Sequence, residues 1–468
     1  MKIKSICCIG AGYVGGPTMA VIALKCPHIK VIVVDNNSNK IDAWNGSLQK
    51  LPVYEPGLKE IIKKVRGRNL FFSKNIDDAI NSSEIIFMAV NTPTKKQGSG
   101  AGMAADLTYV EACARKIAEV STSDKIVVEK STLPVRTAEK IKEILSANSN
   151  GLKFEIISNP EFLAEGTAIE DLFKSDRVLI GGDQTDTGQA AVNCVVNIYK
   201  NWIPENKILR TSVWSSELSK LASNAMLAQR ISSINSLSAL CEKTGADIDE
   251  VSLAVGMDSR IGKDFLKSSV GFGGSCFKKD ILNLVYLSKF YGLNEVAKYW
   301  NQVIKINDYQ KNRFSKKVID ELNGTVRNKK ISILGWAFKK NTNDSRESAA
   351  IDIANNFINE GAKLSIYDPM VDEITIKADM INLWHEYGDS EHQINLKTKQ
   401  INFHNTSESA IQNSYCVCIV TEWDEFRNYD WKNLILTMKK PALIVDGRNI
   451  IDKDLITKYT KKFYSIGK

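Results

Sequence analysis

Gly10-Ala11-Gly12-Tyr13-Val14-Gly15 stands between an apolar, β-branched run (KSICCI) and a helix-forming one (PTMAVIALK). A strand that turns into a helix through three glycines at this spacing commits the surrounding chain to a parallel α/β layer. The first glycine permits the tight turn, the second lets something approach the backbone closely, and the third lets helix pack on strand. The next strand-like run, KVIVVD, ends in Asp35, twenty residues beyond Gly15. In that setting the glycines predict a dinucleotide site, against the alternative of a turn rich in glycine for structural reasons alone. A carboxylate at Asp35 accepts hydrogen bonds from an adenosine ribose and repels a 2′-phosphate, which favours NAD over NADP. Lys40, close by, blunts that preference.

The same strand–helix alternation continues through KVIVVD, EIIFMAV, KIVVEKS, FEIISN and RVLIGG. It predicts a parallel sheet covered by helices on both faces. From Trp214 the pattern changes to one long helix that ends at Gly245, followed by further helices, the last about 295–322 and stopped by Asn323-Gly324. Near Lys329 the alternation resumes with KKISILGWAF, GAKLSIYDP, YCVCIVTEWD and PALIVDG, and the polar stretch 382–405 reads as an irregular excursion. The expected fold is therefore α/β, with two Rossmann-like parallel-sheet domains joined by a central all-helical domain with a long spine helix. The expected boundaries are 1–212, 213–325 and 326–468, the middle segment serving as spine and oligomer surface.

Bulk properties narrow the function classes. A chain of 468 residues exceeds what one core usually supports, which fits several domains. The net charge of +8 is scattered, without a basic run or interleaved aromatic stripe, and argues against nucleic-acid binding while suiting small anionic ligands. Nine cysteines without repeating spacing predict a reducing compartment, and Cys416 and Cys418 read as strand packing. The four histidines lie outside every motif, which argues against a zinc site and a histidine general base. No apolar run reaches the ~18 residues of a membrane span, and MKIKSICCIG reads as a strand and not a signal peptide. A cytoplasmic location is expected.

Ten residues, Gly271 to Asp280 (GFGGSCFKKD), place Cys276 where a glycine-rich turn gives way to a helix pattern. A thiol there faces unpaired backbone N–H groups and the positive end of the helix dipole, with Lys278 and Lys279 adding positive charge. These influences favour the nucleophilic thiolate. Taken alone, Cys276 would serve equally as a packed core thiol; its glycine and lysine neighbours oppose that. Three pairs stand at i, i+4 spacing: Glu161/Glu165, Lys220/Asn224 and Cys276/Asp280. The glutamates would otherwise be solvated charge, and the lysine an interfacial residue. A hydride acceptor together with an activated sulfur points to an oxidation through a covalent thioester.

The motifs GAGYVGGPT, YEPGL, VNTPT, EKSTLPVR, NPEFLAEG, WSSELSKLASNA, FGGSCFKKD, FKK, SRES and TEWDEF occur in this order along nearly the whole chain. Together they resemble the UDP-glucose/GDP-mannose dehydrogenase family, most of all its animal UDP-glucose-oxidising members. That resemblance implies oxidation of the C6 hydroxymethyl of UDP-glucose to a carboxylate, consuming water and two NAD. It makes Cys276 the nucleophile, which captures the aldehyde from a first hydride transfer as a thiohemiacetal; a second hydride transfer gives a thioester, which water cleaves. Lys220 would stabilise alkoxide-like charge with Asn224 as a donor, and Asp280 and Glu161 would serve hydrolysis, their order left open by spacing. Thr132 would sit between nicotinamide and substrate.

The resemblance further implies cofactor contacts from Gly10, Gly12, Tyr13, Val14, Gly15, Asp35, Lys40, Val90, Asn91, Thr92, Pro93, Ser131, Thr132, Glu165, Lys279 and Arg346. It implies substrate contacts from Glu161, Phe162, Leu163, Ala164, Glu165, Lys220 and Asn224, from Phe265, Lys267, Gly271, Phe272, Gly273 and Phe277, and from Phe338, Lys339 and Arg448. Arg260 would reach the substrate of an adjacent subunit, so a homo-oligomer, dimer or hexamer, is implied. Lys40 and Trp336 depart from the family pattern, where arginine and phenylalanine are usual. The alternatives left open are a sibling acting on UDP-N-acetylhexosamine or GDP-mannose, and a catalytically silent NAD-binding scaffold.

Overall fold

The computed structural model describes residues 3–149 and 151–468. Its first sheet contains β1 (Ser5–Ile9), β2 (Lys30–Val34), β3 (Leu70–Ser73), β4 (Ile85–Met88), β5 (Lys125–Glu129), β6 (Phe154–Ser158), β7 (Val178–Gly182) and β8 (Ile208–Ser212). They lie in the order β3-β2-β1-β4-β5-β6-β7-β8. β1, β2 and β4 show apolar residues to both faces, as strands covered by helices must. Pairing is parallel except between β6 and β7, where Ile157 faces Gly182 and Ser158 faces Gly181 in antiparallel register.

The second sheet contains β9 (Lys330–Leu334), β10 (Lys363–Tyr367), β11 (Ile401–Phe403), β12 (Cys416–Ile419), β13 (Leu443–Asp446) and β14 (Phe463–Ser465). Its order, β11-β10-β9-β12-β13-β14, repeats that of the first six strands of the other sheet. The local device at the first strand also repeats. Gly10 (φ +114°) follows β1 so closely that a Cβ would lie 2.2 Å from the Ala89 carbonyl oxygen, and Gly335 (φ +96°) follows β9 with a Cβ 2.4 Å from that of Thr421. Asp35 accepts the Ala11 N–H at 2.9 Å, and Asp368 accepts those of Trp336 and Ala337 at 2.6 and 3.0 Å. Trp336 is fully buried and donates its indole N–H to Asp379 at 2.9 Å. Cys416 and Cys418 are buried on β12, as their alternation predicts.

Between the sheets in sequence run the helices Val213–Thr244, Ile248–Gly256, Phe277–Phe290 and Asn294–Glu321. The first ends at Gly245 (φ +80°) and the last before Asn323 and Gly324, both also at positive φ. Residues 257–276 connect these helices irregularly, and the centre of that connection, 268–272, is buried. A buried loop is tolerable only when its backbone polar groups are answered. Here side-chain amides answer them. Asn235 accepts the Ser269 N–H, Asn307 accepts the Phe272 N–H and donates to its carbonyl, and Gln310 donates to the Ser269 carbonyl, all at 2.7–3.0 Å.

The chain divides into two compact units, Met1–Ser223 with Leu282–Asn294, and Asn224–Ile281 with Glu295–Lys468. Among the described residues no helix is long and apolar enough to cross a membrane, and no cluster of three or more His, Cys, Asp or Glu is placed to hold a metal ion.

The stretch 382–405 is not irregular. The helix Glu373–Glu386 runs into it, a second helix covers Glu391–Thr398, and β11 closes the edge of the sheet. Ser390 and Gln393 form a capping box, and Ile394 is the one buried residue of that second helix. A helix that shows a single side chain to the core has too little apolar periodicity to be seen in sequence. We expect Ile394→Ala to cost about 2–5 kcal/mol, read as a lower unfolding midpoint in urea; an unchanged midpoint would mean the segment is not anchored in the core.

Candidate active site

In the first unit the sequence-predicted residues gather at the carboxyl ends of β1, β2, β4, β5 and β6. A Cβ on Gly15 would lie 2.0 Å from the Gly10 carbonyl oxygen, so strand and helix Gly15–Lys25 touch there, while a Cβ on Gly12 would meet nothing within 4 Å. This open cradle at a helix N-terminus fits a pyrophosphate. Asp35 is buried at the end of β2, with Oδ2 accepting from Ala11 N–H and the Lys40 ammonium and Oδ1 from Asn37 N–H, all at 2.9 Å. Burial opposes its charge, but these donors together hold its carboxyl below the usual range. Lys40 is thus tied to Asp35 and does not stand apart as a phosphate-binding cation. The donor set fits the ribose of an NAD.

Val90, Asn91, Thr92 and Pro93 follow β4 and are stapled to the loop after β5. Ser131 Oγ donates to the Val90 carbonyl at 2.6 Å, and Thr92 Oγ1 to that of Thr132 at 3.2 Å. Tyr13, Val14 and Thr132 are half-buried.

Residues 159–164 run as an extended loop, so Glu161 and Glu165 do not share a helix face as their spacing suggested. Pro160 holds Asn159 extended, and Gly166 (φ +84°) turns the chain before the next helix. Glu55, inside the YEPGL motif, accepts the Gly166 and Ala168 N–H groups at 2.8 and 3.2 Å and pins the end of this loop. Glu161 is not solvated charge. It pairs with buried Lys130 at 2.8 Å and accepts the Phe162 N–H at 2.9 Å. The Phe162 ring lies between the Arg177 guanidinium at 4.0 Å and the Lys220 ammonium at 5.1 Å. Such contacts fix Lys220 on its helix by cation–π attraction. Leu163 is half-buried and Ala164 exposed on the same loop.

A buried acid pair, Glu129 with Glu217, underlies the loop 130–136. Glu217 accepts the Arg136 and Ala138 N–H groups at 2.7 and 2.9 Å, at the start of the helix Thr137–Ala147. Burial pushes both carboxyls up, Glu217 to about 7 and Glu129 well above the carboxylate range, where the neighbouring negative charge adds to burial.

In the second unit Cys276 is exposed, whereas the other eight cysteines are buried. It directly precedes the helix Phe277–Phe290, and its carbonyl accepts the Asp280 N–H at 2.9 Å, which closes the first turn. Lys278 donates to Glu347 at 2.8 Å, so that carboxylate answers much of its charge, while Lys279 lies 3.8 Å from Asp280. Asn224 donates to Asp280 at 2.6 Å, both side chains being buried. Gly271 (φ +125°) and Gly274 (φ +86°) bend the approach, and a Cβ on Gly273 would lie 2.5 Å from the Glu347 carbonyl oxygen. Phe277 packs edge-on against Phe272 and Phe265 at 5.8 and 6.5 Å.

Arg448 donates to the Phe338 and Val420 carbonyls at 2.9 and 2.6 Å, beside the glycine loop that Phe338 touches. Lys339 is half-buried and Lys267 exposed. Arg346 forks onto buried Asp344 at 2.8 and 2.6 Å. Arg260 is highly exposed and forks onto Asp258.

Residues 4–203 match the NAD binding domain of the UDP-glucose/GDP-mannose dehydrogenase family, 214–309 its central domain and 332–453 its UDP binding domain. The chain belongs to that family. Among similar proteins, UDP-glucose 6-dehydrogenase 3 of Arabidopsis thaliana is 57% identical over 470 residues, spanning 99% of this chain and 97% of the relative. UDP-glucose 6-dehydrogenase 3 of Oryza sativa subsp. japonica is 56% identical over 469 residues, with the same coverage. A UDP-glucose dehydrogenase structure from Pyrobaculum islandicum superposes with a TM-score of 0.82 at 29% identity, covering 99% of this chain and 97% of that one. These relatives are from plants and an archaeon.

Several residues of this family member escape sequence reasoning. Lys130, Asn159, Tyr199, Glu129, Glu217 and Glu55 are all buried and polar around the predicted site. The available signal was EK directly after an apolar strand, where a buried charge needs a partner. Because Glu129 and Glu217 hold protons more tightly folded than unfolded, stability falls as pH rises from the ordinary carboxyl range, about 4.3, through about 7. Glu129→Gln removes one of those protons and keeps a donor beside Glu217. Its thermal midpoint should therefore drop less between pH 6 and pH 8.5 than that of the parent; equal drops would contradict a proton held at Glu129.

Proposed function

We propose that the chain oxidises the C6 hydroxymethyl of UDP-glucose to the carboxylate of UDP-glucuronate in two steps, with Cys276 as the covalent tether. The observation that carries this reading is the single exposed thiol at the head of the helix Phe277–Phe290, with the Asp280–Asn224 pair one turn behind it. When bound, NAD supplies the hydride acceptor for both oxidations. Cys276 Sγ adds as thiolate to the aldehyde carbon and holds it, so that the intermediate is not lost to water. The Lys220 ammonium and the Asn224 amide stabilise the negative oxygen at each stage. Water then cleaves the thioester; Asp280 orients it and Glu161 takes its proton. Family members of high identity carry UDP-glucose in their names, which favours that substrate over other nucleotide sugars.

Gly10, Gly12, Gly15, Asp35 and the loops 90–93 and 131–132 are assigned to NAD, together with Glu165, Lys279 and Arg346. The loop 161–165, Phe265, Lys267, residues 271–273, Phe277, Phe338, Lys339 and Arg448 are assigned to the UDP-sugar. We divide the chain functionally at 212/213 and 325/326, in line with the three family segments. Exposed Leu218, Met226, Leu237 and Leu240 along the spine helix support a homo-oligomer, in which Arg260 serves the neighbouring subunit's substrate. The buried thiols suit a reducing compartment, and we assign the enzyme to the cytoplasm.

Purified protein should release two NADH per UDP-glucose consumed. Cys276→Ser should form no net UDP-glucuronate while still binding both ligands by calorimetry. Full turnover by that variant, or one NADH per sugar in the parent, would overturn the covalent route.

A further inference from the structure

Lys130 is a lysine at 2% exposure whose three ammonium protons all have acceptors in the protein. They are Glu161 Oε2 at 2.8 Å, Asn159 Oδ1 at 3.1 Å and the Tyr199 hydroxyl oxygen at 3.1 Å. The acceptors are themselves fixed. Tyr199 donates to Asn159 Oδ1 at 2.7 Å, and Asn159 Nδ2 donates to the Leu179 carbonyl on β7 at 2.8 Å. Glu161 receives two further donors, the Phe162 N–H at 2.9 Å on Oε1 and the Thr18 hydroxyl at 3.4 Å on Oε2.

We propose that Lys130 is a positioning residue that keeps Glu161 an aimed carboxylate and thereby makes it the base, not the acid, in cleavage of the thioester. The inference rests on the role given to Glu161 above. Three donors, one of them a buried cation, converge on the two Glu161 oxygens and fix the direction in which the carboxylate points. Burial opposes the charge on Lys130, but Glu161 and Tyr199 outweigh it and hold the lysine above its usual range. In the step itself the water oxygen bonds to the thioester carbonyl carbon and its proton passes to the Glu161 carboxylate. The C–S bond breaks, and the electron pair leaves on Cys276 as thiolate, so the negative charge lost at Glu161 reappears at sulfur. A protonated Glu161 would block the step at its first proton transfer.

The test is the pH profile of kcat, with both substrates saturating, for the parent, Lys130→Gln, Lys130→Met, Lys130→Arg and Glu161→Gln. The acid limb of Lys130→Gln and Lys130→Met should shift upward, with activity recovering in alkali, while Lys130→Arg stays near the parent. A merely structural lysine would lower kcat at every pH without moving the limb. Lys130→Gln still offers hydrogen bonds and is held to the same shift if the methionine variant does not fold. An unmoved limb in the glutamine variant overturns the role of Lys130 and leaves Glu161 standing. Parent-like kcat in Glu161→Gln overturns the reading of Glu161 itself.

Discussion

A full positive charge sits at the end of β5, at Lys130, shut away from water and satisfied by Glu161, Asn159 and Tyr199. Breaking such a pair by removing one partner typically costs 3–5 kcal/mol, because the survivor is left buried and unanswered. The next residue along, Ser131, is hydrogen-bonded to the end of β4, and Glu129 just before it lies with Glu217 under the start of the following helix. Three adjacent residues thus hold the loop after β5 from three directions. That loop carries Thr132, and the partner of Lys130 is the carboxylate assigned to hydrolysis. The precision required of the chemistry is set by these buried contacts.

Both sheets repeat one arrangement at the carboxyl ends of their strands. A positive-φ glycine follows the first strand, and an aspartate after the second accepts backbone N–H groups from that turn, Asp35 in one sheet and Asp368 in the other. The strand order reverses beside the same glycine in each, between β1 and β4 and between β9 and β12. Open parallel sheets leave a crevice at such a reversal. In the first sheet the glycine cradle is open at Gly12. In the second Asp368 also accepts the Trp423 indole N–H at 3.1 Å, and the aromatic residue takes space beside the turn.

Much of this was legible in the sequence because local and global preferences agree. The strands that read clearly are short, β-branched and apolar on both faces, such as KVIVV and CVCI. β8 was invisible because only Ile208 of ILRTS is buried, and β11 and β14 have three residues each. The helix Glu391–Thr398 hid behind its polar surface for the same reason. In the site, Cys276, Lys220, Asn224 and Asp280 stood out by residue type and spacing. Glu161 and Glu165 misled, since an i, i+4 spacing says nothing of a helix when proline and glycine bracket it. Lys130 read as the tail of a strand, because the partners that explain it lie 29, 31 and 69 residues further along.

The covalent tether is the claim on which the mechanism stands, and intact-peptide mass spectrometry of enzyme quenched within the first turnover tests it most directly. With UDP-glucose and NAD present, the peptide bearing Cys276 should carry the mass of the UDP-sugar, bound through sulfur and released by hydroxylamine. Product forming while that peptide stays unmodified at every quench time would contradict the account.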